Sequence, residues 1–367
     1  MTSDAFVPDQ TNSNSPDPSL ESLGWSNFFR SQLASADGIP GRVASANHGR
    51  FLIWTATGEL DAGVTGQLRK SGALWPAVGD WVLLRPGDPV IHRVLARQTK
   101  LARKQPEREI REQVLAANID VLFIVSGLDR DYNPRRIERY LVMANESGAR
   151  PVVLLNKSDL AAELSLDLDA IIASTQLLSP AVTVIPISAL SDHGLAAIPA
   201  QLAPGQTAAL IGSSGVGKST ILNRLLGDDR QATTAVRESD NRGRHTTTTR
   251  QLFVMPGGWL LMDLPGLREI QLWAEASQTS TTLNETFDDI QQLAQTCRFR
   301  DCTHTAEPGC AVTAAAIEPA RLANYLKMQR ELSQLDRKTE TKSAREGPSK
   351  NKPGNKTGRP YSKLDRE

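Results

Sequence analysis

Residues 212–220 read GSSGVGKST, and residues 156–159 read NKSD. The first stretch matches G-x-x-x-x-G-K-[ST] through Gly212, Gly217, Lys218 and Ser219, with TAALI (207–211) before it and TILNRLLG (220–227) after it. A strand that ends in a glycine loop and re-enters a helix cradles phosphate on backbone N–H groups and the helix N-terminus. The loop Gly212, Ser213, Ser214, Gly215, Val216, Gly217, Lys218, Ser219 and Thr220 is therefore expected to bind nucleotide. Lys218 would reach the β and γ oxygens, and the Ser219 hydroxyl would ligate Mg²⁺.

A phosphate loop does not choose its base. Asn156, Lys157, Ser158 and Asp159 stand where the strand PVVLLN runs out, at the carboxyl end where such sheets bind ligands. The Asp159 carboxylate could accept both N1–H and N2–H of guanine, a donor pair that adenine lacks. Asn156 and Lys157 would brace neighbouring loops and cover the ring. The SAL stretch, with Ser188 and Ala189, follows a further strand and fits an accessory loop whose backbone amides approach the base carbonyl.

Strand and helix signals alternate around these motifs and predict a doubly wound, mostly parallel sheet. IDVLFIVSGL (119–128), PVVLLN (151–156), AVTVIPIS (181–188), QTAALIG (206–212) and GGWLLMDLPG (257–266) read as buried strands. NPRRIERYLVMANESG (133–148) reads as a helix with Asn133 as N-cap, Pro134 at its first position and Gly148 as its stop. The DLPG stretch ends the last strand: Asp263 would hold Mg²⁺ through water, and the Gly266 N–H would meet the γ-phosphate. Between the two phosphate motifs lies TTAVRESDNRGRHTTTTR (233–250), suited to a switch loop in which Thr246, Thr247 or Thr248 gives its hydroxyl to Mg²⁺.

All the parts of a guanine-nucleotide domain are thus present in rotated order, base loops first. Parallel sheets tolerate such rotation, because the binding loops share one edge and chain termini commonly lie close together.

The rest of the chain supplies flanking units. Residues 1–37 are taken as a disordered start, poor in apolar side chains up to about residue 20, with a short amphipathic helix in LGWSNFFRSQL (23–33). Short strand-like runs between turn signals over 38–100, such as GRFLIWTATGEL, VGDWVLLRPGD and VIHRVLAR, suggest a small closed barrel, with the oligonucleotide-binding type a good candidate. The GTPase-like unit takes 101–271, a helical unit 272–338, and a basic flexible tail 339–367, which could be an RNA-binding arm or a solvated end. A last helix over 319–338 places Leu322, Tyr325, Leu326, Leu332 and Leu335 near one face. Within the helical unit, Cys297, Cys302, His304 and Cys310 form C-x4-C-x-H-x5-C and hold all 3 cysteines of the chain. Three thiolates and an imidazole fit one closed, structural tetrahedral Zn²⁺ site with no open position for hydrolysis.

Composition bounds the rest. With 367 residues, 40% hydrophobic and 23% charged, the chain suits two or three globular domains. A net charge of +1 requires any polyanion partner to be met by local basic patches. No apolar run approaches the roughly 18 residues of a membrane span, and the first residues lack the basic start and apolar core of a secretion signal. The expected compartment is the cytoplasm.

In their order NKSD, GSSGVGKST, GRHTTT, DLPG and CRFRDCTHTAEPGC, with a barrel ahead, the chain resembles the circularly permuted ribosome small-subunit-dependent GTPases, the RsgA family, over about residues 38–335. The resemblance implies an oligonucleotide-binding barrel that contacts rRNA, a permuted GTPase domain and a zinc-bearing helical domain. It implies a hydrolase that converts GTP to GDP during late small-subunit assembly. The expected partners are GTP and GDP with Mg²⁺ and the small ribosomal subunit; no membrane, no DNA and a monomeric state are expected. A Ras-like enzyme places its attacking water with a glutamine directly after the DxxG glycine, where this chain has Leu267. His245 is the nearest substitute, and the resemblance also points to it; it is expected to act with Lys218 and Thr247. Two rivals stay open: a P-loop ATPase or kinase, and an RNA-binding zinc protein that uses nucleotide only as a structural ligand.

Overall fold

The computed structural model describes residues 19–34, 38–70, 74–104, 112–129, 132–179, 182–227, 250–264, 283, 285–315 and 317–345. Its first unit is a closed barrel of β1 (Ile39–Asn47), β2 (Arg50–Thr55), β3 (Gly58–Val64), β4 (Trp81–Arg85) and β5 (Asp88–Val94). The strands run in the order β1-β2-β3-β5-β4 and close through β4–β1, with the short helix α2 (Gly66–Lys70) between β3 and β4. This is the five-stranded barrel of the oligonucleotide-binding type. Val43, Phe51, Ile53, Val82, Leu84 and Ile91 fill it. In β4, WVLLR reads as a continuous apolar run because both faces are covered: Val82 and Leu84 point into the barrel, while Trp81 and Leu83 join the core beneath it.

The helix expected over 23–33 is broken. A 3-10 turn (Leu20–Leu23) precedes α1, which spans only Asn27–Arg30, because extended backbone at Ser26 (φ −125°, ψ 172°) restarts the chain. This lets Trp25 meet Trp81 edge-on at 4.7 Å and Phe29 lie 5.8 Å from it, so the aromatics pack onto β4 of the barrel.

After a hairpin of β6 (Lys100–Lys104) and β7 (Glu112–Ala117), the second unit has strand order β10-β9-β8-β11-β13-β12. β8 (Val121–Gly127), β9 (Arg150–Asn156), β10 (Thr183–Pro186), β11 (Thr207–Ile211) and β13 (Leu260–Asp263) are parallel; β12 (Arg250–Val254) is antiparallel to β13. Leu122 and Ile124 of β8 face one core with α3 (Pro134–Ser147), whereas Val121, Phe123 and Val125 face the other with α5 (Lys218–Leu226). Helix α3 begins and ends as its sequence signals: the Asn133 side chain accepts from the N–H groups of Arg135 and Arg136, and Gly148 is left-handed. The short α4 (Leu168–Gln176) lies between β9 and β10.

Neither the β6–β7 hairpin nor β12 is evident in the sequence, since KLARK and EQVLAA carry few β-branched or aromatic residues. β12 joins the two units: Ser45 and Ala46 of β1 pair with Gln251 and Arg250, so the strands of the barrel and of the second unit form one sheet of 11. The third unit contains α6 (Asp288–Ala294), α7 (Ala311–Ala314) and α8 (Pro319–Arg345). α8 runs beyond the expected end at 338, so the first part of the presumed flexible tail is helical. KTETKSAR holds good helix formers, and the first breakers are Gly347 and Pro348. Tyr325, Met328 and Leu332 are buried along α8, with Leu322 and Leu326 packed beside them; the Leu335 side chain lies outside the described residues. Among the described residues, no helix is long and apolar enough to cross a membrane.

Candidate nucleotide site and metal centre

The parallel strands all end at one edge, at Gly127, Asn156, Pro186, Ile211 and Asp263. The turns that follow β8, β9, β10 and β11 therefore meet there, whatever their order in the chain. Asn156 is the tie. Buried at the end of β9, its Nδ2 donates to the Val216 carbonyl at 2.8 Å, and its Oδ1 accepts from the Ala189 amide at 3.0 Å. One side chain thus fixes the phosphate loop and the SAL loop against the NKSD loop. Gly217 makes room for it: a Cβ there would lie 2.3 Å from Asn156 Nδ2, and its φ of +99° is left-handed. Ser158 N–H donates to the Ile187 carbonyl at 3.0 Å, and Ser188 is fully buried beneath Ala189.

Lys157 adopts a left-handed conformation (φ 64°) that swings its ammonium into an ion pair with Asp129, beyond β8. Asp159 stays exposed in a 3-10 turn (Ser158–Leu160). The phosphate loop leaves Ser214, Gly215, Ser219 and Thr220 exposed around the start of α5. Gly212 passes so close to β8 that a Cβ would lie 2.3 Å from the Val125 carbonyl. Lys218 Nζ donates to the carbonyls of Gly212 and Ser213, each at 2.7 Å. Burial lowers the Lys218 pKa, partly offset by the Asp263 carboxylate; burial raises the Asp263 pKa, partly offset by Lys218. A half-buried cation and anion face each other across the loop, an arrangement suited to phosphate on one side and a hydrated divalent cation on the other. Ser219 and Asp263 are oxygen donors of the hard type that Mg²⁺ prefers.

Two residues here carry no sequence signal. Asp129 holds Lys157, and Arg136 of α3 donates from Nη1 to Ser213 Oγ at 2.7 Å. Their partners lie 28 and 77 positions away, outside any local motif. His245, Thr246, Thr247, Thr248, Gly266 and Leu267 lie outside the described residues.

In the helical unit the ligand atoms of Cys297, Cys302, His304 and Cys310 all lie within 4.8 Å of one another. His304 Nδ1 is 3.6 Å from Cys297 Sγ and 3.5 Å from Cys310 Sγ. His304 takes a left-handed conformation (φ 58°) that turns its ring onto the sulfurs, and the Thr313 amide donates to Cys310 Sγ at 3.4 Å. Three soft sulfurs and one imidazole, converging and mostly shielded, fit a tetrahedral metal site.

Chain order and spatial order disagree at the sheet edge: NKSD precedes the phosphate loop in sequence, yet one asparagine bonds both. The sheet is that of a circularly permuted P-loop GTPase. Comparison with known proteins gives the family. A sequence model of the RsgA GTPase family matches residues 94–273. The small ribosomal subunit biogenesis GTPase RsgA of Opitutus terrae is 45% identical over 350 residues, spanning 89% of this chain and 93% of that protein. Its counterpart in Syntrophotalea carbinolica is 41% identical over 333 residues, spanning 86% and 90%. The crystal structure of YjeQ from Thermotoga maritima superposes with a TM-score of 0.56 at 26% identity, over 80% of this chain and 98% of that one. YloQ, a circularly permuted GTPase, shares the fold with a TM-score of 0.56 at 21% identity, over 82% and 98%. The chain belongs to the RsgA family of ribosome-biogenesis GTPases and is a GTP-hydrolysing enzyme.

Proposed function

We propose that the chain binds the small ribosomal subunit and hydrolyses GTP to GDP and phosphate late in subunit assembly, with the subunit accelerating turnover. The observation that carries this reading is the Asn156 tie, which supports a single nucleotide spanning base loop and phosphate loop. The name of the relatives, small ribosomal subunit biogenesis GTPase, supports the partner. In this reading Asp159 selects guanine, Lys157 covers the ring with Asp129 holding it, and the Ala189 amide approaches the base carbonyl. Lys218 leaves its two carbonyls to meet the β and γ oxygens. Ser219, Asp263 and Thr247 surround Mg²⁺, which when bound neutralises charge on the phosphates. The Gly266 amide meets the γ-phosphate, and His245 orients the attacking water in place of the glutamine that Leu267 replaces. The four Cys/His ligands hold one structural Zn²⁺ ion, the barrel contacts rRNA, and the protein works as a cytoplasmic monomer without membrane or DNA partners.

Phosphate release measured with purified small subunits, large subunits and intact ribosomes tests this. Slow turnover alone and strong acceleration by the small subunit are expected; trans-acting groups elsewhere give about 10³–10⁵-fold. Fast turnover without subunits, or equal stimulation by large subunits, would overturn the reading. Replacing Asp159 with Asn should cost about 1–3 kcal/mol of GTP affinity, because the guanine donors lose a charged acceptor; unchanged affinity in a displacement titration removes Asp159 from base selection.

A further inference from the structure

A cavity of about 650 Å³ opens where the barrel, the β6–β7 hairpin and the start of β12 meet. Its aromatic wall is Trp75, 46% exposed, with Phe51 edge-on at 6.2 Å. The loop that presents Trp75 is rigidly built. Arg97 Nη2 donates to the Trp75 carbonyl at 2.9 Å and to Asp80 Oδ2 at 2.7 Å, and that buried carboxylate also accepts from the Ala77 amide at 2.8 Å. The ion pair anchors the backbone that carries Trp75, and the indole itself stays half-exposed at the cavity.

Besides Arg97, which pairs with Asp80, a second cation lines the cavity: Arg250, the first residue of β12. Half-buried, it makes no side-chain hydrogen bond or ion pair among the described residues. Burial, and then repulsion from Arg103, disfavour its charged form, so an anion brought beside it would be held firmly. His48 stands at the rim in the β1–β2 turn, where its left-handed conformation (φ 46°) and that of Gly49 reverse the chain tightly. Glu112, which pairs with Lys100 at 3.0 Å, adds an acceptor on the hairpin side. A flat apolar plate beside a cation that has no ion pair among the described residues, with donors and acceptors on the rim, matches a base attached to its phosphate. The volume falls in the range of small-ligand pockets. A base locked in a duplex cannot enter such a cavity, whereas an unstacked one can.

We propose that this cavity holds one unstacked nucleotide of single-stranded RNA, its base on Trp75 and its phosphate at Arg250. The proposal rests on the reading that the chain contacts ribosomal RNA and adds where a base enters. Because Arg250 sits on the strand that joins barrel to GTPase sheet, the bound nucleotide touches both units.

The test is fluorescence anisotropy of a short labelled oligoadenylate with the full chain, without GTP or ribosomal subunits. Trp75→Ala should weaken binding about tenfold with unchanged thermal melting, and Trp75→Phe much less. Arg250→Gln should weaken it and lower the salt slope by about one. Leu177→Ser, at an 82% exposed position on the GTPase domain, should change nothing. The proposal is overturned if the parent chain does not bind, or if Trp75→Ala and Arg250→Gln bind like the parent. It is equally overturned if duplex RNA competes as well as single strands, or if free AMP displaces the oligonucleotide at equal concentration. A failure here leaves subunit-stimulated hydrolysis to be judged by its own assay.

Discussion

The GTPase domain meets the barrel and the helical unit through joints of different chemistry. On the barrel side, β1 pairs with β12 through backbone hydrogen bonds, and Arg42 of β1 passes into the interface. Its guanidinium donates to the carbonyls of Leu23 and Asn118 and, at 2.7 Å, to Thr207 Oγ1 at the start of β11. It also lies over the Trp81 ring at 5.7 Å. Burial lowers the Arg42 pKa to about 10, against the pull of Asp120 and Asp80. On the other side, α8 meets α3 mainly through charged side chains. Arg321 donates to Glu138 at 2.7 Å and to Asp289 at 2.7 Å, while Arg135 and the Asn324 amide, the latter at 2.6 Å, also bond Glu138, whose side chain is fully buried. Glu331 pairs with Arg139 at the rim.

A backbone ladder fixes register, because sliding it by one residue turns every side chain to the opposite face. A cluster of ion pairs fixes orientation by charge and is disabled by the loss of one member. The same α3 that carries Glu138 also carries Arg136, which bonds Ser213 of the phosphate loop. The helical unit is thus attached to an element that touches the nucleotide edge, whereas the barrel is attached through the sheet itself.

The largest expected break in this contrast is loss of the candidate metal centre at Cys297, Cys302, His304 and Cys310. Structural zinc supplies about 10–16 kcal/mol in small domains. Cys302→Ser, or chelation, should expose residues 297–315 to protease while GDP binding and barrel protection persist. Full protection of that segment without metal would show that packing alone holds it.

Next comes Glu138→Ala, which removes the carboxylate that Arg321, Arg135 and Asn324 share; Arg321 keeps Asp289 and Arg135 keeps Glu318, so the cost should be about 3 kcal/mol, the lower end for a broken buried pair. Urea unfolding with hydrogen exchange should show the loss concentrated in α8. A loss below about 1 kcal/mol would mean the apolar contacts of Tyr325, Met328 and Leu332 carry the joint.

On the barrel side, Arg42→Met keeps bulk but leaves the acceptors on Leu23, Asn118 and Thr207 without their donor, for about 1–3 kcal/mol. Exchange should rise around β1 and β11 and leave α8 unchanged. A uniform rise would mean the two joints act as one.

The smallest effect belongs to Glu331→Gln, since a rim pair contributes about 0–1 kcal/mol. A larger loss in the same urea titration would place the rim, not Glu138, at the centre of that joint.

The nucleotide and metal motifs were legible because their chemistry is local. Gly212, Gly217 and Lys218 lie on one turn, and Cys297, Cys302, His304 and Cys310 lie within one short segment, so spacing alone suggests their geometry. The strands of the parallel sheet were legible for a similar reason: burial on both faces writes an unbroken apolar run such as VLFIV. What joins the units left no such mark. Glu138 and Arg321 are 183 positions apart, Arg42 and Thr207 are 165 apart, and β12 pairs with a strand that begins at residue 39. Read singly, a glutamate on a helix or an arginine in a strand is an ordinary surface residue. Only the closed barrel and the docked helix exclude water around these charges, and that exclusion turns them into joints. The sequence by itself determined which loops can hold nucleotide and metal, whereas the tertiary structure decided what those loops are fastened to.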